Sequence, residues 1–164
     1  MIVKGYKAFD KQLKNRYGQQ FEVGKDYDCL GKAIFGNKGN GYHFCQRLED
    51  TLRYFDGMND KIQIAEVIGS GNVVECCDEY NGYYDMYVAT SIKIVRVLSR
   101  KEIIEYFLDV PDYRIKRFIQ GYKLNKKEID IFKEKYGSNV SILKTIAYYQ
   151  ENQRDIYNDC KILK

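Results

Sequence analysis

The stretch Gly39-Asn40-Gly41-Tyr42-His43-Phe44-Cys45 holds the only histidine of the chain, between two aromatic residues and beside a glycine-rich turn. Histidine is the one side chain whose ordinary pKa lies near neutrality. A lone copy here reads as a ligand-binding or general acid/base group, or as a half-buried ring satisfied by one hydrogen bond. The run Gly36-Asn37-Lys38-Gly39-Asn40-Gly41 brings backbone N–H groups and the Lys38 ammonium, which suit a phosphate; its bland alternative is a surface loop. It matches neither the P-loop nor the dinucleotide fingerprint. Five cysteines, odd in number and with Cys76 and Cys77 adjacent, do not form a disulfide framework. With His43, the set Cys29, Cys45, Cys76 and Cys77 has the ligand types for zinc but lacks Cys-x-x-Cys spacing, and strand neighbours point to opposite faces. No metal is expected. There is no Gly-x-Ser-x-Gly elbow, and a Cys–His nucleophile pair would have to draw on Cys29 or Cys76.

The elements that position these residues follow from periodicity. Residues 2–9 alternate loosely and predict a first strand. Residues 10–20 are polar and predict a short helical turn. Residues 21–27 predict a strand, 31–41 a glycine loop, and 42–45 a short extended segment that sets Tyr42 and Phe44 on one side and His43 and Cys45 on the other. Leu48, Leu52 and Phe55 are at helical spacing and predict a helix over 47–55. Strands are expected over 61–68 and 73–80, separated by a Gly69-Ser70-Gly71 loop. Asn81-Gly82 then marks a type I′ hairpin turn into strands over 83–87 and 88–98, flanked by Tyr80, Tyr83, Tyr84 and Tyr87. From Ser99 the pattern changes. Ser99-Arg100-Lys101-Glu102 and Asn125-Lys126-Lys127-Glu128 read as capping boxes, and helices are predicted over 99–110, 114–122, 125–136 and from 140 or 141 onward. The sum is an α+β protein: a mainly antiparallel sheet module over 1–98 with one or two packed helices, then a small helical module over 99–164 acting as a lid or docking element.

With 164 residues, one domain or a domain plus an appendage is expected. Residues 1–98 carry 13 basic and 13 acidic side chains, whereas 99–164 carry 14 and 10, so the whole net charge of +4 sits in the helical part. Helices over 112–122 and 125–136 would present Arg114, Lys116, Arg117, Lys123, Lys126 and Lys127 as a modest basic edge. Nucleic-acid binding by this tail is one expectation; a solvated helical surface is the other. The opening Met1-Ile2-Val3-Lys4-Gly5-Tyr6 breaks any apolar run within a few residues, so no signal peptide is expected, and no apolar run reaches membrane-span length. A soluble cytoplasmic protein without a membrane partner is expected. The Tyr-rich hairpin serves equally as a dimer edge or an internal pair, which leaves the oligomeric state open.

Residues 1 to about 100 resemble an uncharacterised family of phage and prophage-encoded proteins. The resemblance is carried by Lys4-Gly5-Tyr6-Lys7-Ala8-Phe9, Phe21-Glu22-Val23-Gly24-Lys25-Asp26-Tyr27, Gly41-Tyr42-His43-Phe44-Cys45, Ala65-Glu66-Val67 and Ile92-Lys93-Ile94-Val95-Arg96. It implies an accessory protein in a host cytoplasm, binding a host protein or a nucleotide-like ligand through the face that carries His43. A more remote resemblance is to ADP-ribosyltransferases, with Lys4-Gly5 as the first-strand element and Gly39-Asn40-Gly41-Tyr42-His43-Phe44 as the nicotinamide-holding segment. Lys4 stands there in place of arginine or histidine, and His43 in place of tyrosine. That resemblance implies NAD as cofactor and Tyr42 and His43 against the nicotinamide. Asp85 or Glu79 would take the acidic role, and Lys4, Gly5, Lys38, Gly39 and Gly41 would bind the rest of the cofactor.

Overall fold

The computed structural model describes residues 1–58, 61–77 and 85–151, and of Cys77 and Asp85 the backbone alone. The expected Asn81-Gly82 turn, with Asp78, Glu79, Tyr80, Tyr83 and Tyr84, and the tail 152–164 lie outside these residues. The chain divides into two units, one made of Met1–Asp56 and Lys61–Leu98, the other, among described residues, of 57–58 and 99–151.

Among the described residues, five strands build the first unit: β1 (Val3–Asp10), β2 (Asp26–Asp28), β3 (Tyr42–Cys45), β4 (Ile62–Cys77) and β5 (Asp85–Val97). All pairings are antiparallel. β4 pairs with β1 on one side and β5 on the other, β5 with β3 and β2, and β3 returns to β1 at Tyr6↔Cys45. The pairings β1–β4–β5–β3–β1 thus close into a ring, which leaves few unpaired strand edges. Closure requires the long β4–β5 ribbon to bend, and register shifts occur at Glu66/Val67 and Ser70/Val73. The expected Gly69-Ser70-Gly71 loop is therefore not a loop. These small residues carry one continuous strand round the bend, and Gly69 lies so close under the Phe44 ring that a Cβ there would stand 2.4 Å from Cζ. Phe9, Phe21, Phe44, Val67, Tyr87 and Ile94 are among the buried side chains that fill the interior.

Three other expectations give way to local chemistry. Residues 10–20 form no helix, because the Asp10 carboxylate accepts from Gln12 and Lys14 N–H (2.8 and 2.9 Å) and Asn15 Oδ1 from Tyr17 and Gln19 N–H (3.0 and 2.9 Å). Such side-chain-to-backbone bonds compete with the helix. The strand expected over 21–27 shrinks to Asp26–Asp28, because Gly24 turns the chain at φ +84° while its N–H donates to Ile94 O (2.7 Å). The helix expected over 47–55 is one 3-10 turn, Glu49–Arg53, packed on β1 and β3.

The second unit consists of α1 (Arg100–Leu108), α2 (Asp112–Gly121), α3 (Lys126–Lys135) and α4 (Val140–Ile146), followed by a π-type turn, Ala147–Glu151. Both capping boxes form, Ser99 with Glu102 and Asn125 with Glu128. Phe118 stacks on Phe107 (ring centroids 3.7 Å apart) and on Tyr122 (5.0 Å). Gln150, buried in the last turn, donates to Ile119 O (2.5 Å) and Tyr122 O (2.9 Å) and accepts from Leu124 N–H (3.0 Å). It thereby satisfies the open C-terminal end of α2. Arg100 grips Glu128 with two bonds of 2.6 and 2.7 Å, which links the starts of α1 and α3. Among the described residues no helix is long and apolar enough to cross a membrane.

Candidate functional site

β1 and β3 share a single register pair, Tyr6↔Cys45. Beyond it the Lys7 ammonium donates to His43 O at 2.5 Å, so a side chain takes a carbonyl that a ladder N–H would otherwise satisfy. A cavity of about 390 Å³ opens here, wholly within the first unit. Its walls are Tyr6, Lys7 and Ala8 of β1, Tyr42 to Cys45 of β3, Met86 of β5, and Thr51, Tyr54 and Phe55 at the 3-10 turn. Two loops complete it, one with Asn15, Arg16, Tyr17 and Gln19, the other with Phe35, Gly36, Asn37, Gly39 and Gly41. The loops meet where Tyr17 OH donates to Asn37 Oδ1 (3.5 Å). Two cations, several amides, seven Phe and Tyr rings and the His43 imidazole line the cavity, and among the described residues no carboxylate does.

The charge states follow from burial. Lys7 is lowered from 10.5 to about 8, chiefly because burial removes water from its ammonium. A Cys45 thiolate would oppose this, but burial pushes the Cys45 thiol up to about 12, so near neutral pH Cys45 is an uncharged neighbour. The Phe9 ring, 5.8 Å from the Lys7 nitrogen, gives weak compensation. His43 is held below its ordinary value by burial, then by Lys7 and Arg16, against a hydrogen bond to the Gly41 backbone. Its neutral Nε2 accepts from Gly36 N–H (3.3 Å), and its ring lies 5.4 Å from that of Phe35. The histidine therefore ties β3 to the glycine loop. Burial raises the Tyr42 hydroxyl, which donates to Asp28 O (3.3 Å).

The cavity gathers Tyr42, His43, Gly39 and Gly41 as the sequence suggested, and adds Lys7 and Arg16, which it did not. Lys4 and Gly5 line a different cleft, with Gln46 and Glu66. Gly5 is there for packing: a Cβ would stand 2.5 Å from Cys45 O and 2.7 Å from the Phe44 ring. Lys38 does not line the cavity. Three of the six backbone donors of the glycine run Gly36–Gly41 already have acceptors within the fold. Gly36 N–H goes to His43 on β3, Gly39 N–H to Gly36 O (3.0 Å) and Asn40 N–H to Ile34 O (2.9 Å). The side chain of Asp85, and Glu79, lie outside the described residues. Among those described, no cluster of three His, Cys, Asp or Glu is placed to hold a metal.

A family model matches residues 3–106 and carries the description domain of unknown function, DUF7666. The chain belongs to this family. The DUF7666 span includes every residue that lines the cavity and ends within α1. No curated protein matches the chain, and no solved structure does.

Gly41 positions the DUF7666 site at the mouth of β3. Its φ is +115°, and a Cβ would lie 2.7 Å from Val88 Cγ1 and 2.9 Å from Ala89 O. Gly41→Ala should destabilise the protein by about 2–4 kcal/mol, from left-handed strain plus overpacking. Gly36 has φ +117° with open space around it, so Gly36→Ala should carry the strain alone, about 1–2 kcal/mol. Urea denaturation of both variants reads the difference; equal losses would remove the packing argument.

Proposed function

We propose that this protein binds a small anionic ligand bearing a flat ring, of the nucleotide type, in the cavity between β1 and β3. The observation that carries the reading is the lining itself: Lys7 and Arg16 with aromatic rings and amides, and no carboxylate among the described residues. A half-buried ammonium that meets no carboxylate among the described residues is an undercompensated charge, and an anion entering the cavity supplies the compensation. Tyr17 and Phe35 are exposed at the rim, where they offer faces for stacking. The resemblance to phage-encoded accessory proteins fits a binding role in a host cell. The weaker resemblance to ADP-ribosyltransferases makes NAD one ligand of this class, with Tyr42 and His43 at the nicotinamide end.

Calorimetric titration with AMP, NAD and inorganic phosphate tests this. AMP or NAD should bind, inorganic phosphate should bind at least tenfold more weakly for want of a ring, and Arg16→Ala should raise the Kd at least tenfold, about 1.4 kcal/mol. Arg16 is exposed, so its loss should not unfold the chain. Binding unchanged in Arg16→Ala, or no binding of any anion, would overturn the reading.

A further inference from the structure

Lys7 lacks the surroundings that keep a lysine inert. Surface lysines are hydrated or paired with carboxylates, and their amines stay protonated. The Lys7 amine meets one acceptor, His43 O at 2.5 Å, and the Phe9 ring. No ion pair to a carboxylate is found for it among the described residues. Its other near neighbour in the cavity wall, Cys45, is a buried thiol. The amine lines a cavity large enough for a ring-bearing metabolite, and a strand hydrogen-bonded along its length holds it in place. A half-buried amine without a counter-ion, in a cavity that a second cation also lines, is an arrangement that lets lysine act as a nucleophile toward carbonyl carbon.

We propose that Lys7 captures carbonyl compounds, forming a Schiff base with a small aldehyde or keto acid whose anionic group is held by Arg16; this rests on the anion-binding reading of the same cavity. The neutral amine adds to the carbonyl carbon, forming a C–N bond. The two protons that the nitrogen gives up pass to the carbonyl oxygen, the C–O bond breaks, water leaves, and a C=N bond remains. Nothing is oxidised or reduced, and no co-reactant is needed. Burial favours the first step, because a pKa of about 8 in place of 10.5 raises the neutral fraction near neutral pH by roughly 300-fold. Arg16 keeps its charge over the same range, so the anionic group stays held while Lys7 gives up its proton.

Pyridoxal phosphate, an aldehyde with a ring and a phosphate, is the probe. The full chain is incubated with it at low concentration, reduced with borohydride and mapped by peptide mass spectrometry. Exposed Lys4, on the same strand, is the internal comparison. Lys7 should be labelled at least tenfold faster than Lys4, and Lys7→Arg should lose the visible aldimine band. Pyridoxine phosphate has the same ring and anion without the carbonyl, and it should bind and slow the labelling. Equal labelling of Lys4 and Lys7 would overturn the capture proposal. Binding of pyridoxine phosphate with Lys7 unlabelled would sink capture while the anion reading stands. Selective labelling that pyridoxine phosphate does not slow would support the nucleophile and count against the anion reading.

Discussion

Lys7→Met should make the protein more stable near neutral pH and at the same time weaken its anion binding at least tenfold. Both effects have one cause, the uncompensated charge of the Lys7 ammonium inside the first unit. Folding lowers its pKa from 10.5 to about 8, so between these values the unfolded chain binds a proton that the native chain does not. The Lys7 contribution to native stability therefore rises with pH across that window and is lowest below about 8, where both states are protonated and the native state bears the charge. The shift corresponds to about 3 kcal/mol. Methionine keeps the length of the stem and removes the charge. The variant should gain most of that amount below about pH 8, and the gain should fade as the pH approaches about 10.5. Parallel denaturant titrations over this range check it, since the other titrating groups are common to both proteins. A variant less stable than the parent throughout would show that the His43 carbonyl and Phe9 contacts outweigh the desolvation. The anion titration on the same variant decides whether the destabilising lysine is kept for a ligand, the pattern expected of functional sites.

Phe118→Ala should cost the helical unit about 3–5 kcal/mol, the usual range for emptying a fully buried phenyl site. Its ring is wholly buried between Phe107 and Tyr122 and has Phe132 at 5.9 Å, so three helices and the connector after α2 lose their common contact. Phe118→Leu should lose much less, about 1 kcal/mol, because most of the volume is retained. Helical circular dichroism followed through urea unfolding reads both. A loss below about 1 kcal/mol for the alanine variant would show that the aromatic stack does not hold the unit together. Every residue that lines the cavity belongs to the other unit, so AMP binding in Phe118→Ala serves as the control for the first unit.

Lys7 shows how close the sequence comes to the site and where it stops. The strand Gly5-Tyr6-Lys7-Ala8-Phe9 alternates, and Lys7 shares its face with Gly5 and Phe9, both buried. A lysine in an inward position was the available signal for an unusual amine, and the period of two exposes it once Phe9 is taken as core. Arg16 had no such signal. It lies in a polar loop whose path is set by Asp10 and Asn15 side chains, and its place at the cavity follows from contact across the unit.

Local chemistry in the sequence determined the α+β class, the first strand, the short aromatic strand with His43, and the four helices with their two capping boxes. Each depends on neighbours within a few residues: alternation for strands, Ser99 with Glu102 and Asn125 with Glu128 for helix starts. What only the tertiary structure decided depends on residues far apart in the chain. Gly69 within β4 leaves the room that the Phe44 ring fills. The ring closes through Tyr6↔Cys45, 39 positions apart. The glycine loop is tied to His43 through Gly36 N–H, and Gly39 and Asn40 N–H find acceptors within the loop. The cavity arises where β1 and β3 part after one pair and an ammonium takes the place of a backbone donor. No local pattern encodes that event, because it is the geometric remainder of closing a small sheet on itself.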